Sequence, residues 1–323
     1  MTQKFSLEER LNYLKQYGSH CMAYSTLQPG MKYFDLPGIG YLAYMQYCGT
    51  RFVLSDPITA PENYEKILDS ALEEHKKTSF VQIRSKIAEI LSKRGYYINS
   101  FGVENTIDVN DFKISWNVRR DLKRWISSVP KAGIRITEDR GSILDRDIEK
   151  LSEEWRSTKT TKHELAFLAR PLSTRYEEGV RRFFGINGSG DLVGFCSFDP
   201  CYHNGEIISY SINHIRESPE APNGTTDFII VSAIEQFKKE GIKTIHLGLS
   251  PLHNMDHTQY KGSPITKGIA NLLYERASKI YRFKQLGFHK DRFKANKSQT
   301  YLGFRSFFSI PEIFGLMRLC RVI

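Results

Sequence analysis

Residues 181–198 read R-R-F-F-G-I-N-G-S-G-D-L-V-G-F-C-S-F. Two apolar, β-prone runs, Arg181–Ile186 and Leu192–Phe198, flank the turn Asn187–Asp191, whose asparagine and glycines favour a reversal, so the stretch predicts a β-hairpin. Working outward, Glu206–Ile212 predicts a further strand, and Pro219, Pro222 and Gly224 then interrupt the chain. Thr225–Glu240 carries helical spacing, Thr244–Leu249 returns to strand, and Ile265–Gln285 predicts a helix ending before Gly287. The same order occurs earlier. Ile39–Gln46 and Arg51–Leu54 flank a turn at Cys48-Gly49-Thr50, Pro57 and Pro61 break the chain, and Asn63–Lys76 is helical. Phe80–Ile83 is a strand and Ser85–Arg94 a helix with Gly95 as its C-cap. The reading is α+β: two tandem modules, 1–135 and 136–323, each a mixed sheet flanked by helices.

A chain of 323 residues suits two cores better than one, and 40% hydrophobic with 25% charged residues excludes a disordered chain. The first residues form a charged amphipathic stretch (Leu7, Leu11, Leu14) rather than a secretory leader, and no apolar run reaches spanning length. Five scattered cysteines without a CxxC pair point to a reducing, cytoplasmic compartment rather than a disulfide scaffold.

The formal net charge of +10 is concentrated. Lys113–Arg135 carries +6 and Arg276–Ile323 carries +9, leaving −5 for the rest. Trp116, Trp125, Tyr281, Phe283, Phe288, Phe293 and Tyr301 are interleaved with these charges. Cations beside aromatics suit bases and phosphates, a lipid interface, or a core packed behind a basic face.

Leu286-Gly-Phe288 after Tyr281-Arg-Phe-Lys-Gln285, read as helix into strand, resembles the closing motif of the N-acetyltransferase fold. A longer series is more specific: Asn213-His-Ile-Arg216, Ala221-Pro-Asn-Gly-Thr-Thr-Asp227, His246-Leu-Gly-Leu-Ser-Pro-Leu252, Leu286-Gly-Phe-His-Lys290-Asp-Arg292 and Tyr301-Leu302. With Gly38–Gly49, Leu54-Ser-Asp-Pro57 and Gly102–Arg120 in the first module, it resembles the catalytic domain of the phosphatidylglycerol lysyltransferases, the multiple peptide resistance factors. The similarity runs over about residues 20–305.

That resemblance implies two tandem N-acetyltransferase-like modules. It also implies transfer of an amino acid from aminoacyl-tRNA, as co-substrate, to a phospholipid headgroup at the inner membrane surface. It implies no metal and no further cofactor, since the ester is already activated. The family's Asp-x-x-Arg stands here as Asn213-x-x-Arg216, and an amide cannot act as a general base. Three other readings stay open: a soluble acceptor, an acyl-CoA or acyl-carrier donor, and a non-catalytic RNA- or membrane-binding module. The acetyl-CoA fingerprint R/Q-x-x-G-x-G/A is missing.

The candidate residues follow. Arg216 would hold a phosphate or the oxyanion at the ester carbonyl. His214 is the fallback proton acceptor beside Asn213. Asp227, the nearest carboxylate to Arg216 in the series, would orient the donor's α-amino group or pair with a helix terminus, and Glu275 is a second reader of that group. Asn223 and Gly224 begin a helix whose free N–H groups suit an anion. Lys290 and Arg292 alternate, which on a strand gives them one face towards phosphate or towards water. His246, His253, Asp256 and His257 cluster, but the zincin glutamate is replaced by Asn254, so no metal site is assigned. The tail 304–323, apolar and aromatic with interspersed arginines, suits either an interfacial helix or a helix docked on the core.

Overall fold

The computed structural model describes residues 4–139, 143, 145–159, 163–255, 258–276 and 283–323. The first half runs α1 (Leu7–Tyr17), β1 (Lys32–Leu36), β2 (Gly40–Tyr47), β3 (Thr50–Leu54), β4 (Ile58–Thr59), α2 (Tyr64–Glu74), β5 (Thr78–Ile83), α3 (Ser85–Lys93), β6 (Tyr97–Asp108) and α4 (Trp116–Ile126). The second runs β7 (Arg135–Asp139), α5 (Asp145–Ser157), β8 (Arg181–Ile186), β9 (Leu192–His203), β10 (Glu206–Glu217), α6 (Thr225–Lys239), β11 (Thr244–Pro251), α7 (Pro264–Arg276), α8 (Phe283–Asp291), β12 (Asn296–Phe304) and α9 (Ile310–Leu319).

Each half begins with an antiparallel meander, β1–β3 and β7–β10, and adds a parallel strand, β5 on β3 and β11 on β10. A parallel partner requires a crossover, which α2 and α6 supply. The next strand of each half is exchanged: β6 pairs with β11 and β12 with β5. β6 and β12 also pair with each other, from Asn296 opposite Thr106 to Phe304 opposite Tyr97. Among the described residues this makes one sheet of order β1-β2-β3-β5-β12-β6-β11-β10-β9-β8-β7, with β4 on β2. The expected division at 135/136 falls at the start of β7. In space it is bridged, because β12 of the second segment lies between β5 and β6 of the first.

The sheet is buried on both faces. On β12, Tyr301 enters the core beneath α2 and α3, whereas Leu302 and Phe304 enter the core beneath α7 and α9. On the second half, Phe183 and Phe198 pack against α4 and α6, and Phe184 and Phe195 pack against α5. Successive side chains of a strand point to opposite faces, which is why adjacent phenylalanines serve different helices.

Three local expectations need correction. The strand read as Glu206–Ile212 continues to Glu217 through a bulge at Asn213, since Ile212 pairs with Phe198 and His214 with Ser197. The helix read over 265–285 is helical where it is described, at Pro264–Arg276 and from Phe283, with 277–282 outside the described residues, but it runs on to Asp291 instead of stopping before Gly287. Leu286-Gly287-Phe288 is therefore helical, and Lys290 does not share a strand face with Arg292. The physical reason is spacing: Phe283, Gly287 and Lys290 lie at i, i+4 and i+7 on the inward side of α8.

Candidate active site

β10 and β11 pair only from Ser209–Ser211 to Thr244–His246. Beyond that point β10 continues with β9 and β11 with β6, so the two parallel strands part. Gly248 sits at the parting, just after a bulge in β11, with φ +78°. The left-handed conformation suits glycine, and a Cβ there would stand 3.5 Å from Lys290 Nζ and 3.7 Å from the Ile212 carbonyl oxygen.

Lys290 thus reaches from α8 into the gap between the strands. Its Nζ donates to the Leu249 carbonyl at 2.7 Å, and the residue is 6% exposed. Burial disfavours the ammonium and brings its pKa down to about 7, with Cys21 and Glu104 acting in the opposite direction. Glu104, on β6, is buried, and burial pushes its carboxyl upward while a 3.0 Å bond from Gln82 Nε2 favours the anion. Among the described residues, the Oε1 of Gln82 is buried without a hydrogen-bond partner. His246 lies between Thr106 Oγ1 and Ser209 Oγ, each at 3.3 Å, and burial lowers it to about 4. This interior holds a poorly basic imidazole, a carboxyl pushed upward and a lysine whose basicity burial lowers. It offers both proton acceptors and donors away from water.

Sequence reasoning ranked these residues differently. Arg216 stacks on Trp155 at 3.8 Å and pairs with Glu164 at 2.9 Å, with Ser152 Oγ 3.3 Å from its Nε. It ties α5 and the 164–170 segment to β10. Asn213 makes a two-point amide contact with the backbone of Arg170, accepting from its N–H at 3.2 Å and donating to its carbonyl at 3.3 Å. Arg170 is itself buried against Asp199 and Glu177. His214 is buried, 2.8 Å from Ser197 Oγ, and desolvation plus the neighbouring arginines hold its basicity well below the usual histidine range.

Asp227 does not meet Arg216. It opens α6 and accepts from Arg292 at 2.9 Å, with His289 Nε2 2.7 Å away. Arg292 also lies 5.1 Å from the Trp125 ring, so the two basic segments of the sequence meet here. Gly224 has φ +93°, and a Cβ there would lie 2.6 Å from the Trp125 carbonyl oxygen. That helix terminus is therefore packed beneath α4, with only Asn223 exposed beside it. Glu275 is on the surface, bonded to Lys284 at 2.6 Å, and joins none of the other candidates. Asp256 and His257 lie outside the described residues; His253 is 2.9 Å from Tyr274 Oη.

The expected constellation thus divides into three groups, with Lys290 alone in the gap. Glu104, Gln82 and Gly248 were not anticipated. The available signals were an acid inside the run Phe101–Ile107 and a glycine inside the strand Thr244–Pro251.

Two meander-and-crossover modules with a parting of the parallel strands define a tandem N-acetyltransferase-fold protein. The chain belongs to the family described as phosphatidylglycerol lysyltransferase, C-terminal, whose model matches residues 11–304. Among curated relatives, the phosphatidylglycerol lysyltransferase of Bacillus subtilis is 25% identical over 84% of this chain and 32% of its own length. That of Staphylococcus epidermidis is 22% identical over 96% and 37%. The chain therefore spans about a third of the length of these relatives. Among solved structures, L-PGS from Bacillus licheniformis superposes with a TM-score of 0.82 at 20% identity, covering 98% of this chain and 96% of that one. FemX superposes with 0.60 at 9% identity, covering 97% and 99%. Among the described residues, no helix is long and apolar enough to cross a membrane.

Proposed function

We propose that the protein moves the aminoacyl group of an aminoacyl-tRNA to a headgroup hydroxyl of phosphatidylglycerol at the cytoplasmic surface of the membrane. The observation that carries this reading is Lys290, a buried amine bonded to the Leu249 carbonyl at the parting of β10 and β11, where burial lowers its basicity. Aminoacyl transfer between oxygens needs one group that takes a proton and returns it. As the acceptor oxygen bonds to the ester carbonyl carbon, neutral Nζ takes the hydroxyl proton. As the tetrahedral species collapses, the bond to the ribose oxygen breaks and that oxygen receives the proton from Nζ. Glu104 favours the transient ammonium. His214 is enclosed and poorly basic, which makes it a weaker candidate for this role.

The donor is read from charge and chemistry. Arg120 and Arg124 are exposed on α4 beside Trp125, which is 40% exposed and adjoins Arg292. Cations with an aromatic platform suit the phosphates and bases of a tRNA end. The acceptor is read from the family and its named relatives. The test is incubation with charged tRNA, labelled in the amino acid, and phosphatidylglycerol vesicles. Label should enter the lipid fraction and should stop doing so after ribonuclease. Transfer that survives ribonuclease sinks the donor assignment, and label found only on water-soluble material sinks the lipid acceptor.

A further inference from the structure

Residues 305–323 follow the 11–304 span matched by the family model, and they carry the densest group of exposed apolar side chains among the described residues. Phe307, Phe308, Ile310 and Phe314 are 39%, 67%, 56% and 49% exposed. Single exposed hydrophobics are ordinary on a protein surface, but four within eight residues form a patch.

The patch is built on a fixed base. Ser263 Oγ donates to the Phe307 carbonyl at 2.7 Å, and the hydroxyls of Thr266 and Ser309 bond to each other. Leu316 and Cys320 are buried on the inner side of α9, and Gly315 lies against the Phe52 and Tyr47 rings so closely that a Cβ would meet Phe52 at 2.9 Å. The outer side runs Ile310, Phe314, Arg318 at i, i+4 and i+8, all exposed. The rings of Phe307 and Tyr97 are 5.6 Å apart, and the Lys261 ammonium lies 5.4 Å from Tyr97. Arg305, Arg318, Arg321 and Lys261 are exposed around the patch. Glu312 is the one acid of the segment and is half-buried.

We propose that this face, Phe307 to Arg321 with Lys261, is a docking surface for an anionic lipid bilayer, its rings entering the interface and its cations meeting headgroup phosphates. Apolar side chains rimmed by cations match a bilayer of that charge, and neither feature alone would anchor stably. The inference deepens the reading of a lipid acceptor by naming the face that meets the lipid, and it rests on that reading only for choosing a bilayer as occupant.

The experiment is sedimentation of the full chain with phosphatidylglycerol vesicles and, separately, phosphatidylcholine vesicles, with no donor present. Wild type should bind the anionic vesicles at least tenfold more tightly than the neutral ones. Phe308→Ser with Phe314→Ser should lower that binding at least tenfold, and Arg305→Glu with Arg318→Glu should bring it to the neutral-vesicle level. Wild-type levels of binding in either double variant overturn the proposal, as does a concentration-dependent dimer lost in the phenylalanine variant, which would make the face a contact between copies. Transfer to a short-chain, monomeric phosphatidylglycerol should survive in both variants. If wild type transfers nothing yet the variants still lose binding, the docking surface holds and the transfer reading fails.

Discussion

The Nζ of Lys290 donates to the carbonyl of Leu249, the residue that follows left-handed Gly248 where β11 leaves β10. One hydrogen bond to a carbonyl leaves a buried ammonium under-satisfied, and the consequence is its displacement towards the neutral amine.

Lys290→Met should therefore lower transfer at least about 100-fold, the lower end of what a general base contributes, without unfolding the chain. A folded-state pKa near 7 below the unfolded 10.5 means the unfolded chain binds more protons between those values, so wild-type stability rises with pH across that window. The melting temperature of Lys290→Met should equal or exceed wild type at pH 7, with the gap narrowing towards pH 10. Lys290→Arg, always charged, should be inactive. The wild-type rate should climb through a pKa near 7, and full activity in Lys290→Met would remove this amine from the chemistry.

Gly248→Ala tests the shape of the gap. A left-handed non-glycine residue costs about 1–3 kcal/mol, and the new methyl would lie against Nζ and the Ile212 carbonyl. Denaturant titration should show a loss of that order, with transfer falling further than stability explains.

Arg216 and Glu164 should act as a unit. Arg216→Ala removes the nearer cation of a mostly buried pair and leaves Glu164 with Arg156 at 3.9 Å, so it should destabilise by about 2 kcal/mol, the scale of a hydrogen bond to a charged group. Glu164→Gln should cost a similar amount, and the double variant should cost much less than the sum. Additive losses would mean that the pair is not what Arg216 provides.

Asn213→Asp places a carboxylate at this position of the motif series but loses the donation to the Arg170 carbonyl, a hydrogen bond worth about 1 kcal/mol. It should melt lower than wild type and transfer no faster. A marked gain in rate would reinstate position 213 as the base.

Both crossover helices, the hairpins β2–β3 and β8–β9 and the concentration of positive charge at two segments were legible in the sequence, because a strand's alternation, a helix's spacing and a proline's missing donor act within a few residues; the outer strands β1 and β7 were not read. The sequence also carried the family motif series. It did not show that β6 and β12 change places, since strand pairing depends on partners almost 200 residues apart. It ranked Arg216 above Lys290, and the structure reverses that order through their surroundings. Glu164 and Trp155, distant in sequence, neutralise and cover Arg216. The parting of two strands draws Lys290 out of water, where among the described residues the Leu249 carbonyl is its hydrogen-bond partner. The sequence by itself determined which elements form and which charges are available. Only the tertiary structure decided which charge is desolvated, because desolvation is set by what the rest of the chain places around it.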